Sequence, residues 1–446
     1  MTGRLTRCLT TLIAIASAVG VYQIPAAAEQ PNVLLIAIDD LNDWVGCLDG
    51  HPQASTPSID KLAATGTLFT NAHCQAPICN PSRTSLMLGL RPSTTGIYLN
   101  RPWFRTTKAN RDRVTLSQYF RTHGYKTMTA GKIYHGSKVD DASFEIVGPR
   151  PGQRLRIDKR LIEVEGARSG LWDYGPQPHD DEEFGDHICA TWASEQLRKK
   201  HDRPFFLAVG FYRPHVPWYA PQKFFDDRPL KEVQLPTVKA DDREDLPKAA
   251  VELTNNPTPP AHDWFVKSKQ WEAAVQAFLA SSSFTDAQVG RVLAALASSP
   301  HADNTIVVLF SDHGFHLGEK QRWAKQSLWE RSTRVPLIIR TPGQTEAAEC
   351  SHPVELLSIF PTLVELCGLP KRKGLEGASL VPLLIDADAP WERPAITTYH
   401  RNNHAVRSQH WRYIRYADGS EELYDHRKDS TEWNNLAGDS KYDEVI

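Results

Sequence analysis

The sequence lacks a strong net charge. Its 51 Lys and Arg residues almost balance its 53 Asp and Glu residues, which leaves a formal net charge of −2 over 446 residues. A balance this even provides no chain-wide field to attract nucleic acid or an anionic membrane surface. We therefore predict no nucleic-acid partner, and we expect any anionic ligand to be held by a local cluster of basic side chains.

The N-terminal apolar run is too short to cross a bilayer comfortably. It extends from Leu9 to Val21, follows Arg4 and Arg7, and precedes the small residues of the segment 26–28. This order is typical of a secretory signal peptide. We predict a signal peptide over residues 1–28, a periplasmic or secreted protein, and no stable membrane insertion. A retained N-terminal anchor is the alternative.

Cysteine is sparse, and its spacing has no metal-binding pattern. The seven cysteines include no CxxC pair, which argues against a structural zinc site. Cys8 lies in the predicted signal peptide, and the pairing of the others does not follow from their spacing. If Cys79 has a special role, an odd number remains, so at least one cysteine is unpaired.

Four apolar runs each end in polar or ionisable residues. With 41% hydrophobic and 23% charged residues, the chain can bury a large core. The runs are Asn32 to Ile38, Thr127 to Ala130, Phe205 to Phe211 and Thr305 to Phe310. Runs this apolar fit strands covered on both faces. Because ligands bind beyond the carboxyl ends of parallel strands, we expect the polar groups to meet in one crevice.

Helical patterns alternate with these runs, which predicts an α/β fold with a large, mixed, mainly parallel sheet flanked by helices. The patterns cover residues 58–65, 116–123, 187–199, 271–296 and 354–367. The polar segment 225–262 predicts a long surface excursion. After about Lys373, short β-like stretches predict a small antiparallel α+β subdomain. We predict a catalytic domain over residues 29–373 and a C-terminal subdomain over residues 374–446.

The segment from Cys79 to Gly89 is the most specific in the chain. Asn80 is a good N-cap and Pro81 a good first helical residue, so we expect Cys79 at the mouth of a short helix. The free N–H groups of a helix start favour negative charge. Taken alone, a cysteine before a capped helix is more often a small buried residue.

Two acidic motifs follow predicted strands. Asp39 and Asp40 end one run, and Asp312 and His313 end another. Three carboxylates favour a hard cation such as Ca²⁺ or Mg²⁺ over Zn²⁺, although a histidine ligand is unusual for Ca²⁺. The alternative is that the Asp39–Asp40 pair only caps the next turn.

Further basic side chains are placed after predicted strands. Lys132, His135 and His215 add cationic and proton-transferring groups, and Lys325 adds another. A lone His or Lys in a loop is usually solvated, so it is their shared placement that indicates a site. On spacing alone, Lys325 fits an ordinary surface turn equally well.

Several motifs occur together in one enzyme family. They include PNVLLIAIDD from residue 31, CNPSRTS from residue 79, GKIYHG from residue 131, FYRPHVPW from residue 211, SDHGFHLGEK from residue 311 and EELYDHRKDS from residue 421. On these motifs the chain resembles the type I sulfatases of the alkaline-phosphatase-like superfamily, and most of all their iduronate-2-sulfatase branch. The resemblance covers nearly all of the chain after the predicted signal peptide.

The resemblance implies a modified nucleophile. Cys79 would be oxidised to formylglycine by a formylglycine-generating or sulfatase-maturating enzyme. One hydroxyl of the hydrated aldehyde would attack the sulfur of a sulfate ester and expel the alcohol. Loss of a proton from the second hydroxyl would then release sulfate, so the implied activity is that of a sulfuric ester hydrolase.

The resemblance also implies the ligands of a cation, with Ca²⁺ favoured over Mg²⁺. By motif position they are Asp39, Asp40, Asp312, His313 and the modified Cys79. The cation would polarise the nucleophile and one sulfate oxygen.

Five other residues acquire roles from the resemblance. Arg83 would hold and polarise the nucleophile. Lys132 and His135 would contact the nucleophile and the sulfate. His135 would accept the proton of the second hydroxyl, whose departure releases sulfate. His215 and Lys325 would bind sulfate and protonate or stabilise the departing oxygen.

The chain departs from the family pattern at a few positions. Leu88 stands where the family often has Thr, and His313 stands where many sulfatases have Asn, although the iduronate-type branch shares His. His316 is an additional histidine that fits either support of the site or ordinary packing. Relatives commonly continue beyond the position of Ile446, so we expect a shortened C-terminus.

The segment RPWFR from residue 101 is the candidate for substrate specificity. Arg101 is suited to a sugar carboxylate and Trp103 to a pyranose face, and a packed loop is an equal alternative. We predict an exolytic glycan sulfatase for uronic acid 2-O-sulfates, with iduronate 2-sulfate as the leading example. The rivals are a phosphodiesterase or phosphonate monoester hydrolase of the same superfamily, and a non-catalytic glycan-binding protein. The intact Cys79, Arg83 and Lys132 argue against the last.

Overall fold

The computed structural model describes residues 30–136, 138–152, 155, 160–163, 171–255 and 258–446. The predicted signal peptide lies outside these residues. The strands are, in chain order, β1 (Asn32–Ile38), β2 (Thr67–Phe69), β3 (Ala72–His73), β4 (Lys126–Gly131), β5 (Ile146–Val147), β6 (Tyr174–Gln177), β7 (Phe205–Phe211), β8 (Trp218–Pro221), β9 (Thr305–Ser311), β10 (His316–Leu317), β11 (Trp323–Ala324), β12 (Arg334–Val335), β13 (Leu337–Arg340), β14 (Ala348–Cys350), β15 (Val354–Glu355), β16 (Ala395–Thr398), β17 (His404–Arg407), β18 (Trp411–Arg415) and β19 (Glu421–Asp425).

The α-helices of the described residues lie between these strands. They are α1 (Pro57–Ala63), α2 (Cys79–Leu88), α3 (Pro92–Thr95), α4 (Leu116–Thr122), α5 (Gly185–Arg198), α6 (Lys223–Asp226), α7 (Lys248–Thr254), α8 (His262–Lys267), α9 (Trp271–Ala297), α10 (Glu330–Thr333), α11 (Ile359–Leu366) and α12 (Val381–Ile385). None of the described helices is both long enough and apolar enough to cross a membrane.

A mixed sheet of eight strands forms the centre of the fold, in the order β14-β2-β13-β9-β1-β7-β4-β5. The strands from β9 to β5 run parallel, whereas β13 is antiparallel to both β9 and β2. The prediction of an α/β fold with a mixed, mainly parallel sheet is therefore confirmed.

The apolar run of β1 is explained by burial on both faces of the sheet. Val33 and Leu35 belong to a core that includes residues of α2, α4 and α11. Leu34 and Ile36 point the other way, into a core with α1, α5 and α9. Each fully buried aliphatic side chain of this kind stabilises the fold by about 1.5–3 kcal/mol.

The C-terminal region forms a separate antiparallel sheet of four strands, β16-β17-β18-β19. The turn between the last two strands contains Gly419 at φ +90°, a backbone conformation that glycine adopts without strain. Trp329 of the catalytic region donates to Glu422 of β19 at 2.8 Å. The predicted antiparallel C-terminal architecture is confirmed, while the boundary at residue 373 stays a prediction.

One predicted helix begins later than its pattern indicates. The pattern starts at Val354, but Val354 and Glu355 form β15 and pair with β3. A 3-10 turn follows over Leu356–Ser358, and α11 begins at Ile359. Strand pairing with a distant segment overrides the local helical pattern there.

The polar excursion 225–262 also contains more structure than its composition indicates, because α7 lies within it and α8 begins at its end.

Six cysteines lie in the described residues, and all six are unpaired.

Candidate active site

The strand register brings four chain segments to one edge of the sheet. Ile38 at the end of β1 pairs with Phe211 of β7 and with Ser311 of β9. Gly131 at the end of β4 pairs with Gly210. The polar residues that follow these strands therefore emerge side by side, as expected for the carboxyl ends of parallel strands.

Close approach of β4 and β7 requires glycine at this edge. Gly131 has φ +70°, and an added Cβ would lie 1.9 Å from the carbonyl oxygen of Gly210. The amide of Lys132 then donates to the same carbonyl oxygen at 2.9 Å. The close approach and this hydrogen bond direct the chain after β4 towards the ends of β1 and β9.

Asp40 turns the chain sharply after β1. Its φ is +65°, a left-handed conformation that Asp tolerates better than most residues. The Asp40 amide donates to Asp312 Oδ1 at 3.2 Å, and the Leu41 amide donates to the Ser311 hydroxyl at 3.0 Å. The two acidic motifs are thus joined directly, so Asp39–Asp40 does more than cap a turn.

Cys79 is the first residue of α2, with Ile78 as the N-cap. The prediction that Asn80 caps this helix is wrong. The Asn80 side-chain amide instead donates to the carbonyl oxygens of Leu99 and Pro102, at 2.9 and 3.1 Å. These bonds tie the candidate specificity segment to the helix of the candidate nucleophile.

Arg83 lies one turn after Cys79 and holds both acidic motifs. Its Nε donates to Asp312 Oδ2 at 2.7 Å, and its Nη2 donates to Asp39 Oδ1 at 3.1 Å. Its Nη1 donates to the Lys132 carbonyl oxygen at 2.5 Å. The bonds to the two carboxylates are charge-assisted. Because all these groups are buried, solvent screens them little.

Two lysines reach the sulfur of Cys79 from opposite parts of the sequence. Lys132 Nζ lies 3.8 Å from Sγ and also contacts Asp39. Lys325 Nζ lies 3.2 Å from Sγ and 2.5 Å from Asp40 Oδ1. Lys325 is therefore part of the site, and the alternative of an ordinary surface turn is wrong.

Three predicted histidines also face this centre. His313 Nε2 lies 3.3 Å from Cys79 Sγ, while its Nδ1 lies 3.1 Å from the Gly314 carbonyl oxygen. His215 Nε2 lies 4.0 Å from Asp40 Oδ2. The His135 side chain lies near Cys79 and helps to lower the pKa of its thiol. The structure thus gathers all the predicted catalytic residues and all the predicted cation ligands around Cys79.

The pKa of Cys79 responds to its cationic neighbours. Burial alone would raise it, but Lys132, Lys325 and His313 outweigh burial and hold the thiol pKa well below its usual value. In Asp312, burial raises the carboxyl pKa to about 6. Burial would lower the pKa of His313, but the neighbouring Asp312 carboxylate outweighs it and raises that pKa to about 9. The centre is built to stabilise negative charge at residue 79.

The donor atoms fit a divalent cation. Asp39, Cys79, Asp312 and His313 each offer an atom within 4.8 Å of the others, and Asp40 and His215 do so with Asp39 and Cys79. Among the described residues, the buried Asp40 Oδ2 has no hydrogen-bond partner. The contact of His313 Nδ1 with a backbone carbonyl orients Nε2 towards the centre, as in metal-binding histidines. Oxygen donors in the majority favour a hard cation.

The specificity segment is only partly free for a ligand. Trp103 packs against Phe104 and Tyr134, with ring centroids 4.3 and 5.0 Å apart, so part of its surface is occupied by protein. Arg101 is exposed. His316 is buried, and its ring nitrogens lie 3.0 Å from the Ser327 hydroxyl and 3.2 Å from the Glu319 carbonyl oxygen.

Two residues at the site were not predicted from the sequence. The Tyr212 ring lies 5.0 Å from Lys132 Nζ and 4.8 Å from the His215 ring. Asp186 of α5 accepts the amides of Tyr212 and Arg213, at 2.7 and 2.9 Å. The position of Tyr212 directly after an apolar run was a usable signal. Asp186 carried none, because its partners lie 26 and 27 positions away.

Comparison with known proteins agrees with this arrangement. The model of the Sulfatase family matches residues 31–369, and the model described as N-sulphoglucosamine sulphohydrolase, C-terminal, matches residues 318–446. The fold and the gathered residues define a hydrolase of the alkaline-phosphatase-like class. The chain belongs to the sulfatase family and is a sulfuric ester hydrolase.

Individual relatives resemble the chain over most of its length. A sulfatase from Formosa agariphila is 42% identical, with 95% of this chain and 86% of the relative covered. Human iduronate 2-sulfatase is 32% identical, with 76% of this chain and 69% of the relative covered. The structure of a phosphonate monoester hydrolase from Agrobacterium radiobacter aligns with a TM-score of 0.76 at 23% identity, over 93% of each chain. This last similarity concerns the fold alone.

Proposed function

We propose that the protein removes sulfate from a sulfated glycan, with a uronic acid 2-O-sulfate as the substrate, through a formylglycine made from Cys79 and a bound Ca²⁺. The observation that carries the proposal is the convergence of Lys132, Lys325, His135 and His215 on the edge of the sheet where Cys79 begins α2. Fixed cations aimed at one point stabilise the charge that develops on a transferring sulfuryl group.

Some residues of the site bind the sulfate group, and others transfer protons. Lys132 and Lys325 flank Cys79 Sγ at 3.8 and 3.2 Å and bind the sulfate oxygens. His215 and Lys325 donate to the ester oxygen as the alcohol leaves. His135 accepts the proton whose loss releases sulfate. Overall, a sulfate ester and one water give an alcohol, sulfate and one proton.

Asp39, Asp40, Asp312 and His313 would hold the cation, which when bound supplies Lewis-acid polarisation. Arg83 fixes Asp39 and Asp312 through bonds of 3.1 and 2.7 Å and so keeps two of the ligands in place. Asp186 holds the backbone that leads into His215. The modification supplies an oxygen nucleophile that a thiol lacks.

The glycan part of the proposal is supported by similarity and by the neighbouring loop. Iduronate 2-sulfatase is among the relatives above 30% identity. The loop with Arg101 and Trp103 is tied to α2 by Asn80. An exposed arginine beside the nucleophile helix suits the carboxylate of a uronic acid. Export of the protein, expected from residues 1–28, stays a prediction.

The deciding experiment uses protein produced together with a maturating enzyme. Mass spectrometry of the Cys79 peptide tests the modification, since the aldehyde is about 18 Da lighter than the thiol. Sulfate release is then measured from disaccharides with a uronic acid 2-O-sulfate or a glucosamine 6-O-sulfate. 4-Nitrophenyl phosphate and bis(4-nitrophenyl) phosphate serve as controls. Preferential turnover of either phosphate compound, or of the 6-O-sulfate, contradicts the proposed substrate.

A further inference from the structure

The turn that carries Lys325 has an unfavourable backbone. Lys325 directly follows β11, and its two neighbours, Ala324 and Gln326, have φ of +70° and +74°. L-residues other than Asn, Asp and Gly rarely adopt this left-handed conformation. Two such residues around one lysine persist only when surrounding contacts hold the turn in place.

The Gln326 amide donates to the Pro77 carbonyl oxygen at 3.0 Å, and Arg322 supplies the side-chain contacts to the turn. Its Nη2 donates to the carbonyl oxygens of Lys325 and Gln326, at 2.7 and 3.2 Å. Its Nη1 donates to the carbonyl oxygen of Thr254, the last residue of α7. The carbonyl groups at a helix end are free to accept and carry partial negative charge. One side chain therefore fastens both peptide groups after Lys325 to a helix of the polar excursion.

Packing alone does not account for a guanidinium at this position. Arg322 is 5% exposed, and within the described residues no carboxylate forms an ion pair with it. Some other buried arginines do have carboxylate partners, as Arg412 has in Glu330 and Glu432, whereas Arg228 is bonded to carbonyl and hydroxyl oxygens, as Arg322 is to carbonyl oxygens. Burial of a cation without a counter-charge is costly. The hydrogen bonds that Arg322 donates to the turn and to α7 offset part of that cost.

We propose that Arg322 is a positioning residue that holds the Lys325 turn, so that the ammonium group stays beside the nucleophile and the departing oxygen. The inference rests on the proposed function, because Lys325 assists catalysis only if Cys79 forms the centre of a sulfate ester site. Arg322 acts through the backbone of residues 325 and 326 and needs no contact with substrate.

The role of Lys325 at the departing oxygen makes the inference testable. A phenolate with a low pKa leaves without protonation, whereas a sugar alkoxide needs a proton donor. Displacement of Lys325 should therefore slow hydrolysis of a sugar 2-O-sulfate more than hydrolysis of 4-nitrophenyl sulfate. A general loss of structure would lower both rates by the same factor.

The experiment measures kcat and KM for both substrates in wild type, Arg322→Gln, Arg322→Lys and Lys325→Ala. For Arg322→Gln we expect kcat on the sugar sulfate to fall about tenfold more than kcat on 4-nitrophenyl sulfate, in the same direction as for Lys325→Ala. Arg322→Lys should recover only part of this loss, because an ammonium group cannot span the three carbonyl oxygens as the planar guanidinium does.

Arg228 provides a matched control. It is also 5% exposed, and its guanidinium donates to the carbonyl oxygens of Gln53 and Phe224 and to the Ser283 hydroxyl. Arg228→Gln should lower the melting temperature but leave the ratio of the two kcat values unchanged.

Three results separate the outcomes. An unchanged ratio in Arg322→Gln, or a ratio in Lys325→Ala that does not favour 4-nitrophenyl sulfate, overturns the role of Arg322. If Arg322→Gln does not fold, the ratio in Arg322→Lys decides in the same way. Absence of sulfate release by the matured wild type overturns the proposed function, and the role of Arg322 with it.

Discussion

Arg83 Nε donates to Asp312 Oδ2 at 2.7 Å, although the two residues lie 229 positions apart in the chain. The same guanidinium donates to Asp39 at 3.1 Å. It thereby joins the helix that starts at Cys79 to the ends of β1 and β9. Together with the Ser82 hydroxyl, which donates to the Asp312 carbonyl oxygen at 2.5 Å, it holds the helix of the nucleophile beside the acidic ligands.

Replacement of Arg83 should affect both stability and turnover. Arg83→Lys keeps a positive charge but cannot reach Asp312, Asp39 and the Lys132 carbonyl together. We expect the free energy of unfolding to fall by about 3 kcal/mol and kcat/KM for sulfate release to fall about 100-fold. Chemical denaturation and initial rates measure the two effects.

Arg91→Lys is the control for this change. Arg91 forms a paired contact with Glu355 at 2.6 and 2.8 Å and is partly exposed. Its replacement should lower stability by about 1 kcal/mol without changing turnover. Wild-type turnover in Arg83→Lys would mean that the guanidinium does not position the site.

Removal of the Cys79 sulfur should abolish turnover and leave the fold intact. Cys79→Ala removes the thiol whose oxidation would give the aldehyde, so no hydroxyl nucleophile can form at residue 79. Alanine keeps the backbone of α2 unchanged, so the fold should persist. Cys74, which is also fully buried, serves as the control, since Cys74→Ala should cost about 1 kcal/mol of stability and keep activity. Sulfate release and thermal melts distinguish the two variants. Appreciable turnover by Cys79→Ala would exclude residue 79 as the nucleophile.

Removal of divalent cations should lower both activity and melting temperature. Asp39, Asp40 and Asp312 lie close together near His313, and without a divalent cation their mutual repulsion is relieved by side chains alone, among them Arg83 and the two lysines. A cation that binds only the folded state stabilises it by mass action. We expect EDTA to inactivate the enzyme and added Ca²⁺ to restore it, as followed by activity and thermal melts.

Asp40→Asn should raise the Ca²⁺ concentration needed for that recovery, because it removes one ligand charge. Asp286→Asn, another buried carboxyl outside the site, should not change it. Full activity after exhaustive chelation, with no cation detected by elemental analysis, would argue against a cation in the reaction.

Asp286 should make stability depend on pH between about 4 and 6. Its carboxylate accepts the amides of Ser58 and Ile59 at the start of α1, at 3.0 and 2.8 Å, and burial raises its pKa to about 6. A raised pKa means that the stabilising contribution is complete below the unfolded value near 4 and is lost as pH rises through 6. The shift corresponds to about 3 kcal/mol.

The measurement compares denaturation of wild type and Asp286→Asn at several pH values. Asparagine does not titrate, so the stability of wild type relative to the variant should decline from pH 4 to pH 7. A constant difference, or one that grows with pH, would contradict the assignment.

Much of the fold follows from local patterns. The bounds of β1 and β7 agree with their apolar runs, because strands buried on both faces leave an unbroken apolar signature. Local patterns failed where distant contacts intervene. Val354 pairs with Ala72 instead of starting a helix, and Asn80 bonds to Leu99 and Pro102 instead of capping α2.

The sequence by itself determined the class of fold and the residue types of the active site, because each apolar run is followed directly in the sequence by its polar groups. Only the tertiary structure decided that Lys325 lies beside Cys79, that Arg83 joins two acidic motifs, and that Arg322 fastens a turn to α7. These relationships join positions 44 to 246 residues apart, and local periodicity carries no information over such separations. They form because burial of the sheet on both faces fixes where the strand ends meet.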